Sequence, residues 1–324
     1  LYGGNASSQS ITGVGFQPDF VWVKKRNGSQ DHEIQDSVRG ATKSLSTSNV
    51  TAAETTDSQS ITSFTSDGFN IGSSNSVNEN RNYVAYCWRA GAGTTSTNTD
   101  GSINSVVSVN QDAGFSIVSY TGNLSATGTS TIGHGLGKPI DFVIVKSRTT
   151  THNWNVMSSA LSDWNQNIYL NLTNTATDGS GNGSRSAPTS TVFSVNYDSN
   201  QGVNGTDYIA YCWAEIEGFS KFGSYVGNGN ADGPFVYCGF KPAWIIFKRV
   251  ETTGSWVIKD SSRISTNPNN YDLFANATDV ESDIFDCDFL SNGFKIRDTT
   301  ANTSGGIYIF AAFAESPFQT ANAK

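Results

Sequence analysis

The sequence predicts an all-β protein built from three tandem β-sandwich domains of a jelly-roll-like kind. Three features of the chain support this prediction. One apolar stretch recurs three times, short runs of β-branched and aromatic residues alternate with Gly and Asn turns, and long helical patterns are absent. A chain of 324 residues is also longer than a single hydrophobic core usually organises, so two or three domains of about 100 residues each are expected.

The recurring stretch reads Tyr-Val-Ala-Tyr-Cys-Trp-Arg-Ala at 83–90. It returns as Tyr-Ile-Ala-Tyr-Cys-Trp-Ala at 208–214 and, diverged, as Tyr-Ile-Phe-Ala-Ala-Phe-Ala at 308–314. Small and aromatic residues alternate in a run that carries almost no charge, which is typical of a buried strand. Three copies of one buried strand indicate three similar domains.

The copies divide the chain into a first segment at 1–92, a second at 113–217 and a third at 218–324. The stretch at 93–112 is rich in Gly, Ser, Thr and Asn. It is either a linker or an extra edge hairpin, because Val-Val-Ser-Val at 106–109 has the pattern of a strand. The second and third segments abut with almost no linker, so we expect them to pack as a rigid pair.

Each segment opens with a strand that runs into a Gly-Asn turn. The turns read Tyr-Gly-Gly-Asn at 2–5, Tyr-Thr-Gly-Asn at 120–123 and Tyr-Val-Gly-Asn at 225–228. Gly-Phe-Ser opens this strand at 114–116 and at 218–220. The first segment lacks that half of the strand, and we expect the missing residues to precede the sequence.

The second shared strand follows a turn that contains a proline. It reads Phe-Val-Trp-Val-Lys at 20–24, Phe-Val-Ile-Val-Lys at 142–146 and Trp-Ile-Ile-Phe-Lys at 244–248. Apolar residues occupy both faces, which is typical of a central strand in a sandwich or layered barrel. The closing lysine is expected to mark the point where each strand reaches water.

An Asp-Ser-x-Arg motif follows the third strand in the first and third segments. It places Asp36 before Arg39 and Asp260 before Arg263, and the second segment lacks it. We expect an ion pair that braces a turn rather than a ligand site. If exposed, such a pair contributes about 0–1 kcal/mol to stability.

Two further patterns predict turns and loops. Asp-Gly at 67–68 and Asn-Gly at 292–293 lie between apolar residues and predict tight hairpins. The second segment alone carries a Gly/Ser/Asn-rich insert at 178–187, which we expect to be an exposed loop.

The four cysteines are predicted to be free thiols. Cys87 and Cys212 hold the same place in their copies, and Ala312 holds it in the third. A place that accepts Cys or Ala is a small buried place rather than half of a disulfide. Cys238 and Cys287 have no fixed counterpart, so the pattern favours assembly inside a reducing cell.

Charge and hydropathy argue against two classes of partner. The net charge is −8 and the pI about 4.8, and the longest basic run is Lys-Lys-Arg at 24–26. A nucleic-acid binder needs a basic stripe, so we expect no nucleic-acid partner. No apolar run approaches the roughly 18 residues that a membrane helix requires, so we expect no membrane insertion.

No pattern typical of catalysis or of metal binding occurs. The sequence has three histidines, His32, His134 and His152, and they show no HxxxH spacing of a zinc site. It has no GxSxG pattern of a serine nucleophile and no Asp-x-Asp-x-Asp-Gly pattern of a calcium loop. His134 precedes a turn and is expected to form hydrogen bonds there. Distant acids can meet in a fold and cleave a glycoside, but the candidates carry no motif: Glu33, Asp163 and Glu217. We therefore expect no enzyme, no cofactor and no specific metal site.

One tryptophan lies outside the recurring strands. Trp164 stands between Asp163 and Asn165 in a polar loop of the second segment. An aromatic ring beside polar groups can stack on a sugar or dock a neighbouring chain, so these three residues are the candidate contact with a glycan or a partner. The alternative is a loop anchor that packs on its own domain.

The assembled motifs resemble a repeat family of unknown function found in virion proteins of marine bacteriophages. The matching motifs cover nearly the whole chain and lie at 114–122, 133–136, 144–148, 223–228, 239–244 and 313–318. The resemblance implies a tail-fibre, appendage or other structural protein of the particle. It supplies no catalytic residues.

Two hypotheses follow. The first is a non-enzymatic structural protein that forms part of a fibre, spike or capsid-surface appendage. We expect it to be a homo-oligomer that binds other virion proteins. It would assemble in the host cytoplasm and be displayed on the surface of the particle. The second is a module that binds a carbohydrate or a host receptor. Its contacts would come from the loops that differ most between copies, at 47–60, 178–190 and 275–283.

Overall fold

The computed structural model describes residues 1–48 and 53–315 and is nearly all-β, as the sequence predicts. The elements of the first segment are β1 (Tyr2–Gly3), β2 (Gln9–Thr12), β3 (Phe20–Lys25), β4 (Glu33–Asp36), β5 (Lys43–Ser46), β6 (Thr55–Thr56), β7 (Ile61–Thr65), β8 (Gly68–Ile71), α1 (Asn75–Asn78) and β9 (Asn82–Trp88). Those that follow, up to the end of the second segment, are β10 (Ser96–Asn98), β11 (Ser105–Asn110), β12 (Phe115–Thr121), β13 (Thr129–Gly133), β14 (Phe142–Ser147), β15 (Asn155–Ser158), β16 (Gln166–Tyr169), β17 (Thr177–Asp178), a 3₁₀ turn (Ser180–Asn182), β18 (Val192–Asn196) and β19 (Asp207–Trp213). Those of the third segment are β20 (Ser220–Val226), β21 (Phe235–Tyr237), β22 (Pro242–Arg249), β23 (Val257–Asp260), β24 (Asn269–Phe274), β25 (Ser282–Leu290), β26 (Gly293–Ile296), a 3₁₀ turn (Thr300–Asn302) and β27 (Ile307–Ala314). Within 1–48 and 53–315, no helix has the length and apolar character needed to cross a membrane.

Three large sheets form the framework, and each contains the same succession of strands. The first runs β1-β9-β3-β4-β5, the second β12-β19-β14-β15-β16 and the third β20-β27-β22-β23-β24. The recurring stretch is therefore β9, β19 or β27, an interior strand as its composition predicts. The register repeats as well, since these pairs lie opposite each other: Phe20 and Trp88, Phe142 and Trp213, Trp244 and Phe313. The strands β10 and β11, within 93–112, form a hairpin that extends the second sheet beyond β12.

Shorter strands cover the outer face of each large sheet. They are β2-β8-β7 on the first, β13-β18 on the second and β21-β26-β25 on the third. Val21 and Val23 of β3 pack there against Phe69 and Ile71. The predicted hairpins are confirmed, because β7–β8 and β25–β26 are each joined by a two-residue turn. The described chain is thus a β-sandwich in character.

The inner faces of all three large sheets share one apolar core. Phe20 and Trp22 reach it from β3, and their counterparts reach it from β14 and β22. Aromatic rings of different segments meet in this core, since the ring of Trp88 lies 6.2 Å from that of Trp213 and 5.4 Å from that of Phe313. The second shared strand is therefore apolar on both faces because its own outer layer covers one and the neighbouring segments cover the other.

Indole N–H groups join successive segments. Trp154 Nε1 donates to the Ser46 carbonyl at 2.7 Å, across the contact between the second and first segments. Trp256 Nε1 donates to the Tyr169 carbonyl at 2.9 Å, across the contact between the third and second. The first segment carries His32 at the equivalent place, directly before β4 and fully buried.

The Asp–Arg pairs brace their turns as expected, and each also contacts a tyrosine of a neighbouring segment. Asp36 and Arg39 are fully buried as side chains, and the Tyr211 hydroxyl of the second segment donates to Asp36 Oδ2 at 2.7 Å. In the third segment the Tyr86 hydroxyl of the first donates to Asp260 at 2.8 Å. The turn is braced as predicted, but the pair lies inside the protein, so the small energy of a surface pair does not apply.

The second segment lacks the Asp–Arg pair, and the third segment lacks the tyrosine that would contact it. Ser158 and Leu161 replace the Asp and the Arg there, and Ala311 of the third segment replaces the tyrosine. Buried polar groups are costly unless every member of a network is satisfied. The pair and its tyrosine partner therefore occur together or are missing together.

The prediction that the closing lysines reach water is wrong. Lys24, Lys146 and Lys248 are fully buried. Their ammonium groups donate to loop carbonyls, with Lys24 Nζ 2.9 Å from the Thr278 oxygen and Lys146 Nζ 2.7 Å from that of His152. Burial lowers the pKa of each lysine to about 8. Each lysine donates to the carbonyl six residues further along, in the loop after its strand, and Lys24 and Lys248 also donate to a carbonyl of another segment.

Candidate functional site

The Trp164 loop, between β15 and β16, lies against its own segment. The indole is half-buried and packs on the outer core of the second segment. Asp163 is exposed, and its Oδ1 accepts the N–H of Asn165 at 2.6 Å. The loop therefore offers a ligand the Asp163 carboxylate and the free part of one indole ring.

Arg185 holds this loop in place. Its backbone N–H donates to Asn165 Oδ1 at 2.6 Å, its Nε to the Trp164 carbonyl at 2.8 Å and its Nη1 to Asn167 Oδ1 at 2.7 Å. The Arg185 side chain is buried, and that burial lowers its pKa to about 10. Much of the insert at 178–187 is exposed as expected, but Arg185 reaches back from it and fixes the candidate contact residues. The sequence signal for this role was a single basic residue, Arg185, within a polar insert.

A second aromatic surface lies on β21, and no motif of the sequence indicated it. Phe235 is 43 % exposed and Tyr237 is 64 % exposed, while Val236 between them points inward. Phe235 lies opposite Lys295 of β26, and Lys295 lies opposite Asp288 of β25. Two exposed rings beside charged groups on a sheet surface are suited to stacking on a sugar or on a partner's side chain.

The three acids considered for glycoside cleavage lie on separate elements. Glu33 is on β4, Asp163 precedes β16 and Glu217 stands between β19 and β20. Glu33 accepts a hydrogen bond from Ser44, and burial raises its pKa to about 7. No hydrogen bond or ion pair joins two of these acids in the described parts of the chain.

The histidines and cysteines do not gather into a ligand set either. His134 lies in a turn, where its Nδ1 accepts the Leu136 N–H at 3.3 Å, as the sequence predicts. All four cysteines are free thiols. Among residues 1–48 and 53–315, no group of three or more His, Cys, Asp or Glu side chains is placed to hold a metal ion.

Two of the variable loops lie partly between segments rather than wholly in solvent. Glu54, in the first-segment loop, pairs with Arg148 of the second segment at 3.0 Å. Glu281, in the third-segment loop, pairs with Arg26 of the first at 2.8 Å. Residues 49–52 of the first loop lie outside the described residues. The copies differ here partly because each loop meets a different neighbour.

His32 is fully buried beside Trp22, where a charged ring would be unfavourable. Its Nδ1 accepts the Trp22 Nε1–H at 2.8 Å. Burial lowers the pKa of His32 well below its usual 6.5, and nearby Lys24 and Arg263 act in the same direction. The stability that comes from the neutral ring is present above pH 6.5 and is lost as the pH falls through the lowered pKa.

We expect the double variant Trp22→Ile/His32→Trp to lose less stability on acidification than the parent. It recreates the pair of the second segment, Ile144 and Trp154, and removes the ring that must remain neutral. Denaturant unfolding between neutral pH and about pH 5 measures the difference. Equal pH slopes for parent and variant would contradict the role of His32.

Comparison with known proteins gives one match. The model of a family described as a domain of unknown function (DUF7483) matches residues 1–317. No curated protein and no solved structure matches the chain.

Proposed function

The chain belongs to this family, DUF7483, whose description assigns no activity, and we propose that it is a non-enzymatic structural protein of a bacteriophage particle. It would form part of a fibre, a spike or a capsid-surface appendage. The observation that carries this proposal is the shared core: three sheets bury one face each against the others. A block held together in this way is stiff, which is what a load-transmitting appendage requires. The resemblance to phage virion proteins supplies the setting.

We further propose that the segments are copies of one jelly-roll-like β-sandwich domain, with bounds at 1–92, 113–217 and 218–324. The common order of strands and the equivalent indole bonds of Trp154 and Trp256 support this. Residues 316–324 lie outside the described part of the third domain.

The partners proposed are other virion proteins and further copies of this chain. Assembly would take place in the host cytoplasm and end with display on the particle surface. The free state of all four thiols is compatible with a reducing place of assembly.

Purified particles provide the test. We expect mass spectrometry to detect the chain in them, and a particle reconstruction to show it as an oligomer in a surface appendage. A chain that is absent from purified particles and stays monomeric at high concentration would overturn the proposal.

A second candidate, binding of a carbohydrate or a host receptor, is favoured by the exposed rings of Phe235 and Tyr237. On a glycan array or on host cells, Tyr237→Ala should then abolish binding. Tyr271→Ala, which removes an exposed ring on β24, is the matched control and should retain it. If Trp164→Ala removes binding instead, the site is the loop of the second segment. Binding that survives both Tyr237→Ala and Trp164→Ala would refute both sites.

A further inference from the structure

The contact between the second and third segments differs from the other two contacts in the side chains that join the segments. At each of the other two, a glutamate lies between two arginines, one from its own segment and one from the neighbouring segment. These groups are Arg39, Glu54 and Arg148 at one contact and Arg263, Glu281 and Arg26 at the other. The nitrogen–oxygen distances within them run from 2.8 to 3.3 Å. An Arg–Glu–Arg clamp therefore joins the segments at both contacts.

The contact between the second and third segments carries aliphatic residues at the three equivalent positions. One backbone bond identifies these positions, because the residue at the glutamate position donates its N–H to a carbonyl of the neighbouring segment. The bonded residues are Glu54 and Arg148, Glu281 and Arg26, and Ala176 and Val250, each pair 2.8 Å apart. Leu161 takes the place of Arg39 and Arg263 in the turn after the third strand. Leu161, Ala176 and Val250 therefore stand where the other contacts have the clamp.

These smaller side chains line a pocket at the contact. Its volume is about 420 Å³, and its aliphatic lining extends to Ile307 at the start of β27. Ser162, Gln166 and Glu251 add polar groups, and Glu251 pairs with Arg249 at 2.5 Å. The pocket is thus mainly aliphatic, and its one acid is neutralised. It is suited to an apolar group, because a charged group would lose its hydration there.

Two exposed aliphatic residues continue the pocket onto the surface. Val226 of β20 lies opposite Ile307 of β27, and the two are 59 % and 43 % exposed. The equivalent pairs in the other segments are Thr121 with Asp207 and Gly3 with Asn82. The contact between the second and third segments is therefore aliphatic at positions where the other contacts carry charged, polar or glycine residues.

The residues that differ in this way form one aliphatic patch, which consists of Leu161, Ala176, Val226, Val250 and Ile307. Single exposed aliphatic residues are ordinary, but adjoining ones beside a pocket mark a contact surface. A partner that buries the patch accounts for the change at all of these positions together. The patch lies at the start of β27, whereas residues 316–324 follow the other end of that strand, roughly 23 Å away.

The surface of the aliphatic patch is complementary to itself. Val226 projects into solvent beside the pocket, since its cross-strand neighbour Ile307 lines that pocket. A twofold axis can place the projecting residue of each copy over the pocket of the other. The chain has a net charge of −8, yet two copies can meet here, because the patch carries no charge and Glu251 is already paired with Arg249. A second copy of the chain therefore fits the patch.

We propose that the aliphatic patch is a contact between two copies of this chain, related by a twofold axis, in which Val226 of each copy enters the pocket of the other. The inference rests on the proposed function for the expectation of further copies, and it names the surface through which two of them meet. Association removes the exposed parts of Val226 and Ile307 from water, which drives it.

A double variant tests the patch while keeping the fold. Val226→Thr/Ile307→Asp copies the second segment, where Thr121 Oγ1 donates to Asp207 Oδ1 at 2.6 Å. We expect sedimentation velocity of the full-length chain to show a dimer, and the double variant to raise the dissociation constant of that dimer about tenfold or more. Val106→Thr is the matched control, because Val106 is 42 % exposed on β11, outside the patch, and this change should leave the dimer intact.

A second variant fills the pocket instead of changing the exposed pair. Leu161→Arg/Ala176→Glu/Val250→Arg introduces the clamp of the other two contacts. We expect this variant to weaken the dimer as well, because the side chains of the clamp occupy the space that Val226 of the other copy would enter. The melting temperature of each variant shows whether it is folded.

Three results would overturn the inference, and each differs from a failure of the proposed function. A full-length parent that stays monomeric at high concentration removes the contact between copies, while detection in purified particles still decides the proposed function. A parent oligomer that neither variant weakens assigns self-association to another surface and leaves the homo-oligomer standing. If the parent is monomeric and the double variant no longer enters particles, the patch binds a different virion protein.

Discussion

Replacing Arg39 with Met is expected to lower the free energy of unfolding by about 3–5 kcal/mol, because it leaves a buried carboxylate without its partner. Arg39 Nε lies 2.5 Å from Asp36, and Arg39 Nη2 donates to the Ile34 carbonyl at 3.0 Å and to the Tyr211 hydroxyl at 3.2 Å. The loss therefore weakens both the turn after β4 and the contact between the first and second segments. Urea unfolding at neutral pH measures it.

A surface pair provides the matched control. Lys241 and Glu315 lie 2.8 Å apart, and both side chains are more than 40 % exposed, so Lys241→Met should cost no more than about 1 kcal/mol. The second segment suggests a rescue: Asp36→Ser/Arg39→Leu copies Ser158 and Leu161 and removes both charges together. We expect this double variant to be more stable than Arg39→Met alone. Equal costs for Arg39→Met and Lys241→Met would contradict the buried role.

Replacing Trp213 with Ala is expected to cost about 3–5 kcal/mol through the cavity that it opens. The indole is 5 % exposed. Its ring lies 5.0 Å from that of Phe115, 6.0 Å from Phe142 and 6.2 Å from Trp88. Because this ring lies where residues of all three segments meet, we expect one lowered unfolding transition rather than early unfolding of the second segment alone.

Trp88→Ala is the control of the same chemistry. Trp88 is only partly buried and lines a surface groove between the first and third segments, so its truncation removes fewer contacts and should cost less than Trp213→Ala. Differential scanning calorimetry distinguishes one transition from two. Two separate transitions in Trp213→Ala would show that the segments unfold independently and that the core is not shared.

The recurring strand and the hairpins could be predicted because their signals are local. Tyr83 to Trp88 alternates small and aromatic residues, and Asp67-Gly68 specifies its turn within four residues. The apolar character of both faces of β3 was also visible. Its cause was not, since an inner face covered by neighbouring segments has the same composition as one covered by its own domain.

Contacts between distant residues could not be read in the same way. Lys24 follows an apolar run, as an emerging surface lysine does, and the carbonyl of Thr278 that receives it lies in another segment. The candidate site met the same limit: Trp164 stood out by its polar neighbours, while the exposure of Tyr237 depends on the pairing of β21 with β26. The sequence repeats indicate which positions are buried, but they do not identify the residues that pack against those positions.

The bond from Lys24 to Thr278 joins residues 254 positions apart and has a consequence for synthesis on the ribosome. The first segment emerges before the third, so its contact with the third forms only after residue 278 has been translated. Until then its aromatic inner face is exposed to solvent, and such surfaces are prone to aggregate. The contacts of the first segment are thus complete only after the third segment has been translated. We expect a nascent chain stalled before residue 217 to bind chaperones, and the full-length chain to be released from them.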